Sequence, residues 1–246
     1  MGYCTREKVV FTGNRDSRVP GYLALPKTGT PPYPCILQMH GHTGNKGEWY
    51  EDNSFYNGGF VTKALMSAGY AVLALDAQYH GERRLNNDYE QPNLMQNRGW
   101  YNRSADMIVT STIDYRRAID YLATRADIDT TRIGVFGYSM GGMMAFLLTG
   151  TEPRVKVTVS CVTWTWRLKD RVFDAVAPYN FAQGICPRPF LMLMGRSDEL
   201  LTAEQAQRIF DCIGEPTAAI KFFNSGHKLP PDKYIPEAVT WFKKHL

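Results

Sequence analysis

Apolar residues along this chain come in short unbroken runs more often than in strict alternation. KVVF, GYLALP, CILQMH, YAVLALD, RIGVFG, VKVTVSCV, FLMLMG and IKFF each read as a strand. Several are apolar at every position, which suits strands covered on both faces, as in a parallel sheet flanked by helices. Between them the period changes. In 104–124, Ile108, Tyr115, Ile119 and Leu122 recur at helical spacing, and 60–68, 203–213 and 236–245 fill the same role. Strand alternating with helix predicts the α/β class: a mostly parallel open sheet of about eight strands with helices on both faces. The first two runs are short and flanked by Gly and Pro, and predict an antiparallel edge pair. With no internal repeat and no low-complexity linker, one domain over 1–246 is expected.

Two stretches break the rhythm. Residues 79–103 are polar and Asn-rich, and 164–187 are rich in aromatics. Both follow strands, at the sheet edge where α/β proteins bind ligands. Excursions this long inside a compact domain are functional lids or disordered segments, and the aromatic content favours small cap insertions.

Composition narrows the function. A hydrophobic share of 44% with 21% charged residues is ordinary for a globular protein, and a net charge of +4 over 246 residues leaves no basic footprint for nucleic acid. The GERR and FKKH pieces read as solvated surface. No apolar run is long enough for a membrane span. The start, MGYCTREKVV, lacks an apolar signal core, and Arg6 breaks the myristoylation pattern. Cysteines at 4, 35, 161, 186 and 212 form no C-x-x-C pair, so free thiols and a cytoplasmic location are expected, with Cys35 and Cys161 as small core residues.

The candidate chemistry lies in RIGVFGYSMGGMM. Ile133, Val135 and Phe136 end an apolar strand and Met143 to Leu148 open an apolar helix, with Ser139 in the sharp reversal between Gly137 and Gly141. Strand, G-x-S-x-G, helix is the nucleophile elbow, which presents a serine Oγ at the top of a sheet. A serine hydroxyl needs a base, and the base a carboxylate, in the chain order Ser, acid, His. FLMLMGRSDEL supplies Asp198 and IKFFNSGHKLP supplies His227, each in a loop after a strand on the edge that carries Ser139. Glu199 is the rival acid. His40 and His42 precede the serine, His80 lies in the first excursion and His245 in the last helix. Developing negative charge on a carbonyl oxygen needs donors. The Met140 backbone N–H is one; the His42 N–H is the other, in LQMHGHTGNKGEW, where Gly41 and Gly44 allow close approach. His40 and His42 also form an H-x-H pair, but no further ligands follow at short spacing, so no metal is expected.

HGHTGNK, LDAQYHGER, RIGVFGYSMGG, GRSDEL and SGHKLP together resemble the α/β-hydrolases of the dienelactone-hydrolase and prolyl-oligopeptidase-like group, close to small carboxylesterases of the cinnamoyl and acetyl esterase type. The resemblance spans nearly the whole chain. It implies the α/β-hydrolase fold, a triad of Ser139, Asp198 and His227, and oxyanion amides from His42 and Met140. Dienelactone hydrolase itself has cysteine at the nucleophile, where this chain has Ser139. The large peptidases of the group carry a propeller, for which 246 residues leave no room. The expected activity is a serine carboxylesterase acting on small short-acyl or aryl esters through an acyl-enzyme. No cofactor, nucleic-acid partner or membrane partner is expected. Trp164, Trp166 and Tyr138 are expected at the substrate, with Phe173, Tyr179 and Phe181 extending an apolar wall. Two other readings remain open. A small peptidase or amidase would grip a peptide terminus through Glu82, Arg83 or Arg84, and a non-catalytic receptor could be built on the same scaffold.

Overall fold

The structure is a computed structural model and describes residues 2–165, 171–214 and 216–246. In chain order the elements are β1 (Cys4–Thr12), β2 (Arg18–Pro26), β3 (Tyr33–Met39), α1 (Gly58–Ser67), β4 (Ala71–Leu75), α2 (Asn93–Asn97) and α3 (Tyr101–Leu122). They continue with β5 (Ile128–Tyr138), α4 (Met140–Thr151), β6 (Val155–Cys161), β7 (Phe190–Gly195), α5 (Ala203–Asp211), β8 (Ala219–Phe223) and α6 (Pro231–His245). The eight strands form one open sheet in the order β1-β2-β4-β3-β5-β6-β7-β8. β2 pairs antiparallel with both β1 and β4, and every later pairing is parallel. The runs predicted this mostly parallel open sheet with its antiparallel start, and the family resemblance implied its α/β-hydrolase arrangement.

The unbroken apolar runs arise because the sheet has two cores. In β4 all five residues are buried. Ala71, Leu73 and Leu75 enter the core beneath α3, α4 and α5, while Val72 and Ala74 enter the core beneath α1 and α6. Helix α3 shows one apolar stripe, with Ile108, Tyr115, Ile119 and Leu122 all buried. Helix α4 is buried nearly all round, from Met140 to Thr149, which fixes the element that follows Ser139. Cys35 and Cys161 are buried in the sheet, one in each core.

Two sequence expectations need correction. Helix α6 starts at Pro231, a turn before the expected start at Pro236, which sits inside it. A proline in the second turn removes one hydrogen bond, and so near the helix start the helix continues through it. GERR is not a solvated face. The Arg83 side chain is 1% exposed and bonds the equally buried Asp114 on α3 at 2.7 Å. A buried guanidinium needs such a partner, and the pair pins the excursion after β4 onto α3. That excursion holds a 3-10 segment, Gly81–Asn87, and α2. The later one, where described, holds 3-10 segments at Arg171–Val176, Pro178–Asn180 and Ala182–Ile185. Among the described residues no helix is long and apolar enough to cross a membrane.

Candidate active site

Between β5 and α4 only Ser139 intervenes, at φ 57° and ψ −113°. A side chain other than glycine resists this conformation, at a cost on the order of 1–3 kcal/mol, so the surroundings must impose it. They do so from both sides. Ser139 N donates to Cys161 O at 2.9 Å, and Ser139 O accepts from Met143 N at 3.0 Å. A Cβ on Gly137 would stand 2.1 Å from Gly141 O, and one on Gly141 would stand 2.0 Å from Met39 O. The two flanking glycines are therefore demanded by backbone packed directly against backbone.

The turn aims Ser139 Oγ at His227 Nε2, 2.8 Å away. On the other side of the ring, Nδ1 lies 2.9 Å from Asp198 Oδ2 and 3.1 Å from Oδ1. A carboxylate at Nδ1 accepts the ring proton there and leaves Nε2 free to accept from the serine, so partners assign the tautomer. The Asp198 side chain has no exposed surface, and its Oδ1 also accepts from Leu200 N at 2.9 Å. Glu199, the rival acid, is exposed, with Oε2 3.2 Å from where a Gly226 Cβ would be. The loops after β7 and β8 are tied by Arg196 N to Phe223 O at 2.8 Å and Ser197 N to Ser225 O at 3.0 Å. Tyr138 is fully buried; its hydroxyl accepts from Leu229 N at 2.9 Å and donates to His227 O at 3.2 Å. Its polar end thus positions the histidine loop.

The loop after β3 comes up beside the serine: a Cβ on Gly41 would lie 3.6 Å from Ser139 Cβ. Neither the His42 nor the Met140 backbone amide is engaged by a hydrogen bond among the described residues. Asp76, at the end of β4 and fully buried, anchors this loop. It accepts from Lys46 N at 2.9 Å, Lys46 Nζ at 2.6 Å and Glu82 N at 2.9 Å. His40 spends both ring nitrogens on backbone, Nδ1 donating to Gly41 O at 2.8 Å and Nε2 accepting from Ala77 N at 3.1 Å. With that lone pair occupied, His40 is not free to ligate, and no metal-holding group of His, Cys, Asp and Glu occurs among the described residues. The His42 ring lies 5.8 Å from His80 and 5.8 Å from Trp164. Burial, then the neighbouring His40, push the His42 imidazole down to about 4. Burial also depresses His40 and His80, so the cluster is neutral at pH 7.

Ser139 and His227 open into a cavity of about 340 Å³. Its walls include Glu48, Phe55, Tyr56 and Leu200, none of which the sequence had singled out, as well as the expected His42 and Tyr138. Of the aromatics expected at the substrate, Trp164 stands beside His42, and its backbone N–H donates to Ser139 O at 3.4 Å. Trp166 lies outside the described residues. Phe173 is buried against Tyr101, with ring centroids 5.5 Å apart. The Tyr179 hydroxyl donates to Asp174 Oδ1 at 2.8 Å, and a Gly150 Cβ would lie 2.4 Å from Phe181 O. Phe173 and Phe181 thus pack their segment onto α3 and α4, and Tyr179 braces it internally. Glu82, Arg83 and Arg84 are engaged elsewhere: Glu82 with Lys46 and Lys8, Arg83 with Asp114, and Arg84 with Tyr89 O.

The sheet order, and a strained serine turn after its fifth strand, define an α/β-hydrolase. The chain matches the dienelactone hydrolase family over residues 19–228 and belongs to that family of hydrolases. It is 29% identical over 230 residues to YtaP of Bacillus subtilis (strain 168), covering 82% of this chain and 73% of that one. It is 23% identical over 244 residues to the esterase YjfP of Escherichia coli (strain K12), covering 87% and 90%. Among solved structures, the acetyl xylan esterase from Paenibacillus sp. R4 superposes with a TM-score of 0.76 at 18% identity, over 100% of this chain and 85% of that one.

Proposed function

We propose that this chain is a serine carboxylesterase that hydrolyses small short-acyl or aryl esters. The observation that carries the reading is the continuous hydrogen-bonded chain from Ser139 Oγ through His227 to buried Asp198, open to a cavity of small-molecule size. In the first half-reaction Ser139 Oγ attacks the ester carbonyl carbon while His227 Nε2 takes its proton. The carbonyl oxygen becomes an oxyanion, and the amides of His42 and Met140, unengaged among the described residues, are its donors in this reading. Collapse expels the alcohol, protonated by His227, and leaves an acyl-Ser139. Water then gives a proton to His227 as it attacks the acyl carbon, and the acid departs from a regenerated serine. Buried Asp198 stabilises the imidazolium at each stage.

Family membership and the ester hydrolysis named for YjfP and the acetyl xylan esterase support this reading. The peptidase alternative loses its expected grips, because Glu82, Arg83 and Arg84 are committed to structural partners. The test has two arms. A fluorophosphonate probe is expected to label Ser139, and Ser139→Ala is expected to abolish hydrolysis of p-nitrophenyl acetate and butyrate with the fold retained. Faster cleavage of aminoacyl-p-nitroanilides than of these esters, or labelling of another serine, would overturn the proposal.

A further inference from the structure

Glu48 is a carboxylate in the catalytic cavity that the esterase steps leave unused. It follows β3 in the loop that carries His42, and it lines the cavity shared by Ser139 and His227. Its Oε2 comes within 2.8 Å of where a Gly44 Cβ would be, so the carboxyl group lies over the glycine that this loop keeps bare. No ion pair reaches it among the described residues; the Tyr56 hydroxyl lies beside it, and its charged neighbour is another acid, Glu51. A part-buried carboxylate with no cation beside it is an acceptor with unused capacity.

The direction of the chemistry says which part of an ester would meet it. His227 must protonate the departing alkoxide, so the alcohol portion lies on the His227 side of Ser139. That is the side of this cavity. Phe55, 52% exposed with its ring 6.3 Å from the His227 ring, and Leu200, 48% exposed, form its apolar lips. An alcohol entering here meets apolar surface at the rim and the Glu48 carboxylate further in. We infer that Glu48 is a specificity residue that selects esters whose alcohol carries a second hydrogen-bond donor, a hydroxyl or an ammonium group. A purely hydrocarbon alcohol would desolvate the carboxylate and return nothing to it. Burial raises the carboxyl group above its ordinary range, Tyr56 opposing and Glu51 adding to the shift, and a further bound donor would lower it again.

This inference rests on the esterase reading, and paired acetates separate the two. With acyl group and size held constant, 2-hydroxyethyl acetate is compared with propyl acetate, and 2-(dimethylammonio)ethyl acetate with 3-methylbutyl acetate, by pH-stat at pH 7. The wild type is expected to favour the donor-bearing member of at least one pair by roughly tenfold or more in kcat/KM, the scale of one hydrogen bond to a charged group. Whichever pair shows the preference identifies the donor as hydroxyl or ammonium. Glu48→Leu is expected to erase the preference, mainly through KM, and Glu48→Gln to reduce it while both members are still hydrolysed. A merely structural Glu48 would lower both members equally and keep their ratio. Ratios near one in the wild type, or ratios unchanged in both variants, would overturn the role of Glu48 and leave the esterase intact. Failure of the wild type to hydrolyse any of the four would overturn the esterase reading, and this one with it.

Discussion

Lowering the pH from 7 to 5 tests the neutral histidine cluster beside Ser139. His40 and His80 are almost wholly buried, and the His80 ring contacts both others, His40 at 5.0 Å and His42 at 5.8 Å. The Nε2 atoms of His42 and His80 have no hydrogen-bond partner among the described residues. A proton added to any of the three would be a buried charge against its neighbours. The unfolded chain has no such restraint and binds protons near the ordinary histidine value of 6.5, whereas folded His42 does so only near 4. Below about pH 6.5 the unfolded state therefore carries more protons, and stability falls as pH falls until the folded value is reached. At about 1.4 kcal/mol per pH unit per histidine, His42 alone removes roughly 2 kcal/mol between pH 7 and pH 5. His40 and His80 are depressed in the same direction and steepen the fall. Glu152, held at about 2 by Arg154, keeps its contribution above its ordinary value of 4.5 and loses it as the pH falls from there toward 2, below this window. Asp114 and Glu48, both raised by burial, act in the opposite sense as the pH falls. Urea unfolding followed by circular dichroism at pH 7, 6 and 5 gives the slope for the wild type and for His42→Leu. The variant is expected to lose roughly 2 kcal/mol less than the wild type over that range. Parallel curves, or a wild type equally stable at pH 7 and pH 5, would refute the reasoning.

Three further outcomes are expected. Asp198→Asn should lower kcat on p-nitrophenyl acetate by up to ~10⁴ through the wrong imidazole tautomer, whereas Glu199→Gln should change it by less than roughly tenfold; a crippled Glu199→Gln would move the acid to the exposed neighbour. Asp76→Ala should destabilise the fold by about 3 kcal/mol or more, because it strips the buried Lys46 ammonium of its nearer partner, and should slow turnover as the His42 loop loosens; a loss below about 1 kcal/mol in urea unfolding would deny Asp76 its anchoring part. Trp164→Ala should shift preference toward longer p-nitrophenyl acyl chains, chiefly in KM, since its ring stands by His42 and its backbone by Ser139 while it does not itself line the Glu48 cavity; an equal loss at every chain length would mean that the indole only packs.

What could be read along the chain was what local sequence must satisfy by itself. A strand covered on both faces has to be apolar throughout, so AVLAL announced itself, and Gly137 and Gly141 announced the backbone contacts that forbid a Cβ. Asp198 and His227 were legible as loop residues after strands. Choosing between Asp198 and Glu199 was not fixed by pattern, because adjacent loop carboxylates differ only in which way the backbone turns them. Arg83 looked like surface because its partner, Asp114, stands 31 residues later on another element. Glu48, Phe55 and Leu200 had no periodicity to betray them. They sit in irregular segments whose one signal was position, after β3 and after β7, where the open sheet edge gathers its loops.

Around Ser139 the apolar and polar parts of the fold divide the task. Helix α4 and the crowded glycines hold the serine backbone in a conformation it would not adopt alone. They fix where Oγ is and leave its protonation untouched. The loop that brings His42 is held by two hydrogen bonds from Lys46 to one fully buried carboxylate, Asp76, which also accepts from Glu82 N after β4. Such an anchor is directional: it fixes the orientation of the Lys46 amide, and through the short run back to Gly41 the approach of the His42 amide to the serine. The imidazoles beside that amide stay uncharged at neutral pH, so an oxyanion formed there would be met by backbone dipoles and by no full positive charge. Backbone dipoles held in place cost no reorganisation as charge develops, whereas an imidazolium would also favour any anion that wandered in. On the esterase reading, the burial that depresses His42 thus keeps the site selective for charge that appears during the reaction over charge that arrives with a ligand.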